Sequence, residues 1–325
     1  MSSMKKMNNK ILIGILLVLL AGFGLSRLFR APRLESNLPE NLIKLDSAEV
    51  DHIKVFPIVE GLQEISLVRE GKKWMVKKGN RSFAAEQSSV VGLLGYLAGF
   101  EPQKMVSRKK EKWNTYQVGD SSTRVVVMKN DDVLAEVRIG KTDFAAAPSP
   151  GGFQNPYGGG FGNPFTYVRV ENEDAVYTVS GFLEPSFNRT FNDWRDKSFL
   201  RIRQADITSL RFSYPDSSFN ATLKEGRWLI DQQPADSAAV RNYLSQLEFK
   251  NATNFSEDSD PTAPALFTLE INGKNSALAT VKAWPAGNDF VLSSSLQPGV
   301  YFTSSGSGLM NTIFTGRKAL IKKDQ

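Results

Sequence analysis

The stretch GKKWMV at residues 71–76 recurs as EGRWLI at residues 225–230, with Trp74 and Trp228 at the same place, 154 residues apart. Each stretch follows a run that is typical of a strand, residues 64–69 in the first case and residues 218–224 in the second. Because the similarity extends over consecutive segments, it predicts that one structural unit is present twice.

A helical pattern follows each of these stretches. Val90, Leu94 and Leu97 have the i, i+4, i+7 spacing of one helix face. The matching set, at a constant distance of 150 residues, is Val240, Leu244 and Leu247. Asp236 precedes the second set and is expected to cap that helix, because its carboxylate can accept hydrogen bonds from the first free amides.

Three further matches follow in the same order along the chain. They pair residues 134–138 with 278–282, residues 176–177 with 300–301, and Gly181 and Phe187 with Gly308 and Phe314. The separation in sequence between matched residues changes in steps, as expected when one copy has gained or lost residues. The largest change, from 144 to 124 residues, occurs at residues 145–165, where the first copy has an extra segment.

These patterns predict an α+β protein in which an N-terminal transmembrane helix precedes two tandem repeats. Each repeat is expected to be a mainly antiparallel sheet with packed helices, since the strands alternate apolar and polar residues. The predicted boundaries are a cytoplasmic tail at 1–10, a transmembrane anchor at 11–29, a linker at 30–45, a first repeat at 46–200 with an insert at 145–165, and a second repeat at 203–322.

The anchor is predicted from Ile11–Leu25, where every residue is apolar or glycine. Extended to Phe29, a helix here is about 28 Å long, close to the roughly 30 Å of a bilayer core. A cleaved signal peptide is the alternative, disfavoured because no small-residue cleavage site follows the run. Three basic residues lie on each side of the apolar run, so they do not decide the orientation of the helix. The positive N-terminal amine favours a cytoplasmic N terminus. We therefore expect a single-pass inner-membrane protein with an extracytoplasmic body.

Composition excludes several classes of site. The 325 residues include no cysteine and one histidine, His52, so disulfides, thiolate metal sites and most histidine-dependent chemistry have no residues to use. The net charge of +6 arises in residues 1–34, which hold six basic residues and no acidic ones, and the remainder is neutral. The sequence therefore predicts no nucleic-acid partner and no cofactor or metal.

The insert at 145–165 is rich in glycine and proline, which precludes a regular helix or a central strand. Its aromatic residues recur every four positions: Phe153, Tyr157, Phe161 and Phe165. They are candidate contacts for a partner or for the membrane surface, because exposed aromatic rings in a cluster mark interaction sites. The alternative is a tolerated low-complexity insertion that folds back on its own domain.

Two sets of residues are assigned structural roles. Trp74 and Trp228 are expected to pack in the cores rather than contact a ligand, because they recur at one position of the repeat. Trp194, Arg195 and Asp196 lie where the repeats join, and Arg195 is expected to span both repeats through salt bridges. A ligand site at this junction is the alternative.

Catalytic motifs are absent from the sequence. It contains no nucleophile elbow, no phosphate-binding loop and no His-Glu-x-x-His. His52 lies at a predicted strand start without a nucleophile in a recognisable context, and the acidic run 257–260 lacks the length and distal glutamate of a calcium loop. No catalytic, cofactor-binding or metal-binding residue is predicted, although paired carboxylates brought together by folding remain open.

The signatures around Trp74 and Trp228 and the helix predicted to end near Phe100 resemble the bacterial family called domain of unknown function 4340. The strands at 167–169 and 176–177 and the WRDKSFL stretch at 194–200 resemble it as well. The insert departs from the family pattern. The resemblance implies a membrane-anchored protein without an assigned activity, associated with ABC transport systems of the gliding-motility type, and it supplies no catalytic residues.

Three functions are consistent with these features. The favoured hypothesis is a non-enzymatic single-pass envelope protein, an accessory subunit with a protein partner in the membrane, in an ABC-type transport complex. The alternatives are an extracytoplasmic glycan- or peptide-binding module and a carboxylate-dependent hydrolase. An apolar surface would favour the complex, an aromatic cleft the binding module, and a convergent acidic pocket the enzyme. No particular small-molecule ligand is predicted.

Overall fold

The computed structural model describes residues 38–145, 162–257, 259 and 261–321. The chain divides into two compact units, Met1–Ser66 with Val91–Arg189 and Leu67–Val90 with Thr190–Gln325. The predicted anchor at 11–29 lies outside the described residues. The repeat boundaries at 46–200 and 203–322 stay a prediction.

The elements of the N-terminal half are mainly strands. The strands are β1 (His52–Phe56), β2 (Ile65–Glu70), β3 (Lys73–Lys78), β4 (Arg81–Ala84), β5 (Pro102–Ser107), β6 (Thr123–Lys129), β7 (Asp132–Phe144), β8 (Pro164–Val170) and β9 (Val176–Ser180). The helices are α1 (Gln87–Ala98), α2 (Trp113–Tyr116), α3 (Glu184–Phe187) and α4 (Phe191–Trp194).

The C-terminal half has a similar content. Its strands are β10 (Ser209–Ser213), β11 (Ser218–Lys224), β12 (Arg227–Ile230), β13 (Gln233–Pro234), β14 (Phe267–Asn272), β15 (Ala277–Ala286), β16 (Asp289–Ser294) and β17 (Tyr301–Thr303). Its helices are α5 (Ser237–Leu247) and α6 (Leu309–Ile313). The described chain is therefore mostly sheet with few helices, the coarse α+β class that the sequence predicted.

Strand order recurs between the two halves. In the first unit the order is β1-β6-β7-β8-β9-β5, and in the second unit one sheet has the order β13-β12-β11-β10-β14-β15-β16-β17. These neighbours pair antiparallel. The run from β1 to β9 thus has its counterpart in the run from β10 to β17, and β4 pairs with β3 as β13 pairs with β12. This shared order supports the internal repeat.

The cores form where apolar residues alternate along the strands. In β1, Ile53 and Val55 are fully buried, whereas their neighbours are partly exposed. In the second unit, Leu210 and Phe212 of β10 belong to a large buried cluster that includes residues of α5. One face of each strand therefore packs inward, as the period-two pattern requires.

Both predicted helices are present. The apolar residues predicted to form their inner faces are all buried: Val90, Leu94, Leu97, Val240, Leu244 and Leu247. Asp236 caps α5 as expected, because its Oδ1 accepts hydrogen bonds from the amides of Ala238 and Ala239 at 2.9 and 3.0 Å. None of the helices in the described ranges is long and apolar enough to cross a membrane.

Candidate functional site

Helices α1 and α5 have the same burial pattern when aligned at a distance of 150 residues. From 90 to 97 and from 240 to 247, buried and exposed residues follow one another in the same order. The last buried positions, Leu97 and Leu247, are both fully buried. The two helices therefore present equivalent outer faces, and the same packing holds each of them in place.

The chemistry of these outer faces differs. Between residues 240 and 247 the four exposed positions of α5 carry Arg241, Asn242, Ser245 and Gln246, whereas the equivalent positions of α1 carry Val91, Gly92, Gly95 and Tyr96. We refer to these four α1 residues as the α1 face. Val91 is 62% exposed and Tyr96 is 47% exposed. Since α5 tolerates polar residues throughout, the fold does not require an apolar outer face at this position.

The glycines of the α1 face weaken the helix that carries them. A glycine in a helix interior costs about 1 kcal/mol relative to alanine. A Cβ added to Gly92 or Gly95 would meet no atom within 4 Å, so packing within the described chain does not demand glycine there. What the two glycines do provide is a smooth stretch of helix that another backbone can approach closely.

A cavity of about 260 Å³ adjoins the α1 face. Helix α1, the segment leading into β5 and the end of β9 form its walls, which include Gly95, Tyr96, Gly99, Pro102, Val179 and Leu183. Small-molecule sites have volumes of roughly 300–1,000 Å³. The cavity is therefore better matched to a side chain of a docked protein than to a substrate.

Tyr96 is held beside this cavity by aromatic contacts. Its ring lies 6.3 Å from the ring of Phe187, and the Phe187 ring lies 6.1 Å from that of Phe100. Phe187 and Phe100 are both buried, so they fix one side of the Tyr96 ring. The exposed side of Tyr96 remains accessible, as a contact residue must be.

One of the four predicted aromatic contacts of the insert lies in the described chain. Phe153, Tyr157 and Phe161 lie outside the described residues, and their role stays a prediction. Phe165 lies in β8, half-buried, with its ring 5.5 Å from the ring of Tyr167. It packs against a small buried cluster of its own unit. This position is consistent with the alternative interpretation of the insert, in which it folds back on its own domain.

Arg195 lies between two phenylalanine rings. Its guanidinium carbon is 3.7 Å from the ring centroids of both Phe83 and Phe255, and its Nη1 donates hydrogen bonds to Glu257 and Asn192. Burial lowers the pKa of Arg195, and the Glu257 carboxylate opposes that shift. Arg195 thus links segments that are far apart in the sequence, and no ligand is needed to account for its position.

The other junction residues also make structural contacts. Trp194 is fully buried at the end of α4, and its carbonyl accepts a hydrogen bond from the amide of Glu86 at 2.8 Å. The amide of Asp196 donates to the carbonyl of Ala84 at 2.8 Å, and Oδ1 of Asp196 accepts a hydrogen bond from the amide of Ser198. Backbone pairing therefore ties the junction to the end of β4.

The two repeat tryptophans occupy corresponding strand positions. Trp74 in β3 is 4% exposed, and the carbonyl of Trp74 accepts a hydrogen bond from the amide of Ala85. Trp228 in β12 is half-buried against the core of the second unit, and its carbonyl accepts a hydrogen bond from the amide of Ala235. The structure places both rings where a packing role needs them.

His52 has a polar neighbour that the sequence did not indicate. Its Nε2 lies 3.3 Å from Oγ of Ser66, and that hydroxyl donates a hydrogen bond to Oε1 of Glu64 at 2.8 Å. A serine nucleophile must pass its proton to the histidine. Here the serine proton is directed to Glu64 instead, so the trio does not have the geometry of a catalytic triad.

Two partly buried carboxylates of the described chain have pKa values shifted away from that of a general acid. Burial raises the pKa of Glu171, but hydrogen bonds and charges from Arg138 and Arg169 outweigh it and leave the pKa lowered. The pKa of Asp193 is also lowered, since hydrogen bonds from Thr190 outweigh its burial. A general acid needs the opposite shift. Within the described residues, no group of three or more acidic or histidine side chains could hold a metal ion.

The α1 face is the feature that the sequence reasoning missed. The helical periodicity depends on the buried positions alone and does not indicate which exposed residues differ between the two helices. The signal was nevertheless present, because the 150-residue alignment places Val91 against Arg241 and Tyr96 against Gln246.

Comparison with known proteins finds a similarity to one family model over part of the chain. No curated protein and no solved structure matches the sequence. A family model described as "Domain of unknown function (DUF4340)" matches residues 152–270. That match includes the junction at 194–200 and the signature around Trp228, two of the features on which the resemblance was based. Residues 152–270 are therefore similar to the DUF4340 family model, which supports the resemblance that the motifs indicated.

Proposed function

We propose that this chain is a non-enzymatic accessory subunit of a membrane complex, and that it docks its protein partner through the α1 face. The anchor predicted at 11–29 would attach it to the membrane as a single-pass protein with its body outside the cytoplasm. The family resemblance suggests the class of partner, a subunit of an ABC-type transport complex.

The observation that carries the proposal is the difference between α1 and α5. The two helices have the same order of buried and exposed residues at 90–97 and at 240–247. Their exposed positions differ, since α5 has four polar residues where α1 has two large apolar residues and two glycines. An uncharged apolar face that folding does not require marks a surface buried in a complex. The adjoining cavity would receive a side chain of the partner.

The internal repeat supplies a sharp variant for the test. Replacing the α1 face with the residues of α5, as V91R/G92N/G95S/Y96Q, introduces side chains that already occupy the equivalent positions of the same chain. We expect stability to change by less than about 1 kcal/mol, because the substitutions are on the surface and replace two helix glycines. The matched control is R241A/N242A/S245A/Q246A, which alters the outer face of α5.

The measurement is affinity purification of the full-length chain from mildly crosslinked, detergent-solubilised membranes. Wild type and the α5 control should both recover an integral transporter subunit, and the grafted variant should lose it. Equal recovery by the grafted variant would exclude the α1 face as the docking surface. Recovery of no transporter subunit by the wild type under efficient crosslinking would count against the complex itself.

A further inference from the structure

A strongly basic segment follows α1 in the first unit. Residues 104–112 contain one acidic residue, Glu111, and five basic ones: Lys104, Arg108, Lys109, Lys110 and Lys112. We call these five residues the basic segment. All five are exposed. Lys110 pairs with Asp174 at 3.5 Å, whereas Lys104, Lys109 and Lys112 have no carboxylate of the described chain within 4.0 Å.

The backbone that carries these charges is firmly attached to the unit. Residues 110–112 form a 3₁₀ turn that leads into α2, where the indole Nε1 of Trp113 donates a hydrogen bond to the carbonyl of Asp174 at 3.1 Å. The Trp113 ring lies 3.9 Å from the guanidinium of Arg169, which is 1% exposed. The basic side chains therefore extend from fixed points of the fold rather than from a loose tail.

The second repeat shows that strand pairing does not require this charge. In the first unit Met105 of β5 pairs with Tyr177 of β9, and in the second unit Phe255 forms a bridge with Phe302 of β17. The residues that follow are Ser-Arg-Lys-Lys at 107–110 in one case and Glu-Asp-Ser-Asp at 257–260 in the other. The charge at the equivalent place is negative in the second unit. The basic segment is therefore not needed for the strand pairing that both units share.

The linker from the predicted anchor enters the described chain next to this segment. The amide of Leu42 donates a hydrogen bond to the carbonyl of Phe100 at 2.8 Å, and β5 begins at Pro102. The predicted anchor ends at Phe29. The 13 residues from Phe29 to Leu42 can span at most about 45 Å when fully extended. Membrane attachment at the anchor would therefore leave β5 and the basic segment within reach of the bilayer surface.

We propose that the basic segment binds the anionic phospholipid surface of the membrane and so holds the first unit against the bilayer. The inference rests on the membrane attachment that is part of the proposed function. Charge complementarity supports it, because clustered lysine and arginine near a membrane are attracted to anionic lipid headgroups. This attraction acts within a Debye length, about 10 Å at 0.1 M salt.

The experiment uses the full chain in vesicles. Thr115 is exposed in α2, and T115C provides the only cysteine, which carries an environment-sensitive fluorophore. The vesicles consist of phosphatidylcholine alone or with phosphatidylglycerol, each with a quencher on the lipid headgroups. We expect quenching in the anionic vesicles, loss of quenching near 1 M salt where the Debye length is about 3 Å, and little quenching in neutral vesicles.

Two charge-reversal variants make the test specific. K109E/K112E should weaken the contact with anionic vesicles by about tenfold or more, whereas K72E/K73E, an equal change of charge at two other exposed lysines, should leave it intact. Equal quenching in neutral and anionic vesicles, or an equal effect of both variants, overturns the proposal. An unquenched fluorophore in both vesicle types also overturns it and favours an acidic protein as the partner of the basic segment.

A separate measurement distinguishes failure of the inference from failure of the proposed function. Alkaline carbonate should leave the wild-type chain in the vesicles if the anchor is inserted, and extraction of the chain would overturn both proposals. Retention without headgroup contact would overturn the lipid contact alone. The variant V91R/G92N/G95S/Y96Q that tests docking leaves all five residues of the basic segment unchanged, so loss of the partner from that variant is assigned to the α1 face and not to lipid contact.

Discussion

Arg195 and Glu257 form an ion pair in which the arginine is 3% exposed and the glutamate 26% exposed at their side chains. The same carboxylate also pairs with Arg81 at 3.1 Å, whose side chain is 45% exposed. One glutamate therefore binds two arginines of very different burial. The planar guanidinium of Arg195 fills the space between Phe83 and Phe255, a role that a lysine ammonium cannot reproduce.

This arrangement predicts different costs for the same substitution at the two arginines. Arg195→Lys should lower the free energy of unfolding by about 1–3 kcal/mol, because it removes the stacking on two rings within a buried pair. Arg81→Lys should cost less than about 0.5 kcal/mol, since exposed ion pairs contribute little. Chemical denaturation of the full chain in detergent gives both values. Equal losses of unfolding free energy in the two variants would show that the burial of Arg195 does not strengthen its interactions.

Gly140 is predicted to be irreplaceable for steric reasons. A Cβ at this position would lie 2.3 Å from the carbonyl oxygen of Tyr116 and 2.7 Å from Cγ1 of Val118. Gly140→Ala should therefore destabilise the chain by about 2–4 kcal/mol through overpacking. Gly92→Ala is the matched control. An added Cβ there meets nothing within 4 Å, and it should stabilise α1 by up to about 1 kcal/mol. The two melting temperatures should move in opposite directions.

Tyr214 is predicted to make the fold sensitive to alkali. Burial raises the pKa of Tyr214 to about 12, and its hydroxyl donates a hydrogen bond to the carbonyl of Thr315 at 2.6 Å. A tyrosine in the unfolded chain titrates near pH 10. Because the folded pKa is the higher one, the contribution of Tyr214 to stability is fully present below about pH 10 and is lost as the pH rises to about 12.

Tyr214→Phe tests this dependence. The variant should lose about 1 kcal/mol at neutral pH with the hydrogen bond, and its stability should fall less steeply between pH 10 and 12 than that of the wild type. Denaturation curves at several pH values give the slope, to which one proton contributes up to about 1.4 kcal/mol per pH unit. An unchanged slope would contradict the assignment. Burial also raises the pKa of Tyr243, so some alkaline sensitivity should remain in the variant.

The elements of this fold were predictable where local pattern dictates structure. The spacing of Val90, Leu94 and Leu97 identified α1 because residues at those intervals lie on one helix face. Asp236 marked the start of α5 through its capping chemistry, which involves residues only two and three positions away. Patterns of this kind act over a few residues, and they appear in the sequence before any folding is considered.

The α1 face could be predicted only in part. In the sequence, Val91 is equivalent to Arg241 and Tyr96 is equivalent to Gln246. This difference indicates a special surface only if these positions face solvent, and the exposure of the folded chain shows that they do. The cavity next to Tyr96 could not be anticipated, because Val179 and Leu183 reach it from a strand and a turn more than eighty residues further along the chain.

The sequence by itself determined the repeated unit, its strands and helices, the similarity of residues 152–270 to the DUF4340 family model, and the absence of cysteine and the presence of one histidine. Only the tertiary structure decided that Arg195 pairs with Glu257, that the Ser66 hydroxyl donates a hydrogen bond to Glu64, and that the α1 face is exposed. The physical reason is the separation in sequence between the residues that interact. Helix and strand periodicity follow from neighbouring residues, whereas these contacts and this exposure depend on which distant segments the folded chain brings together.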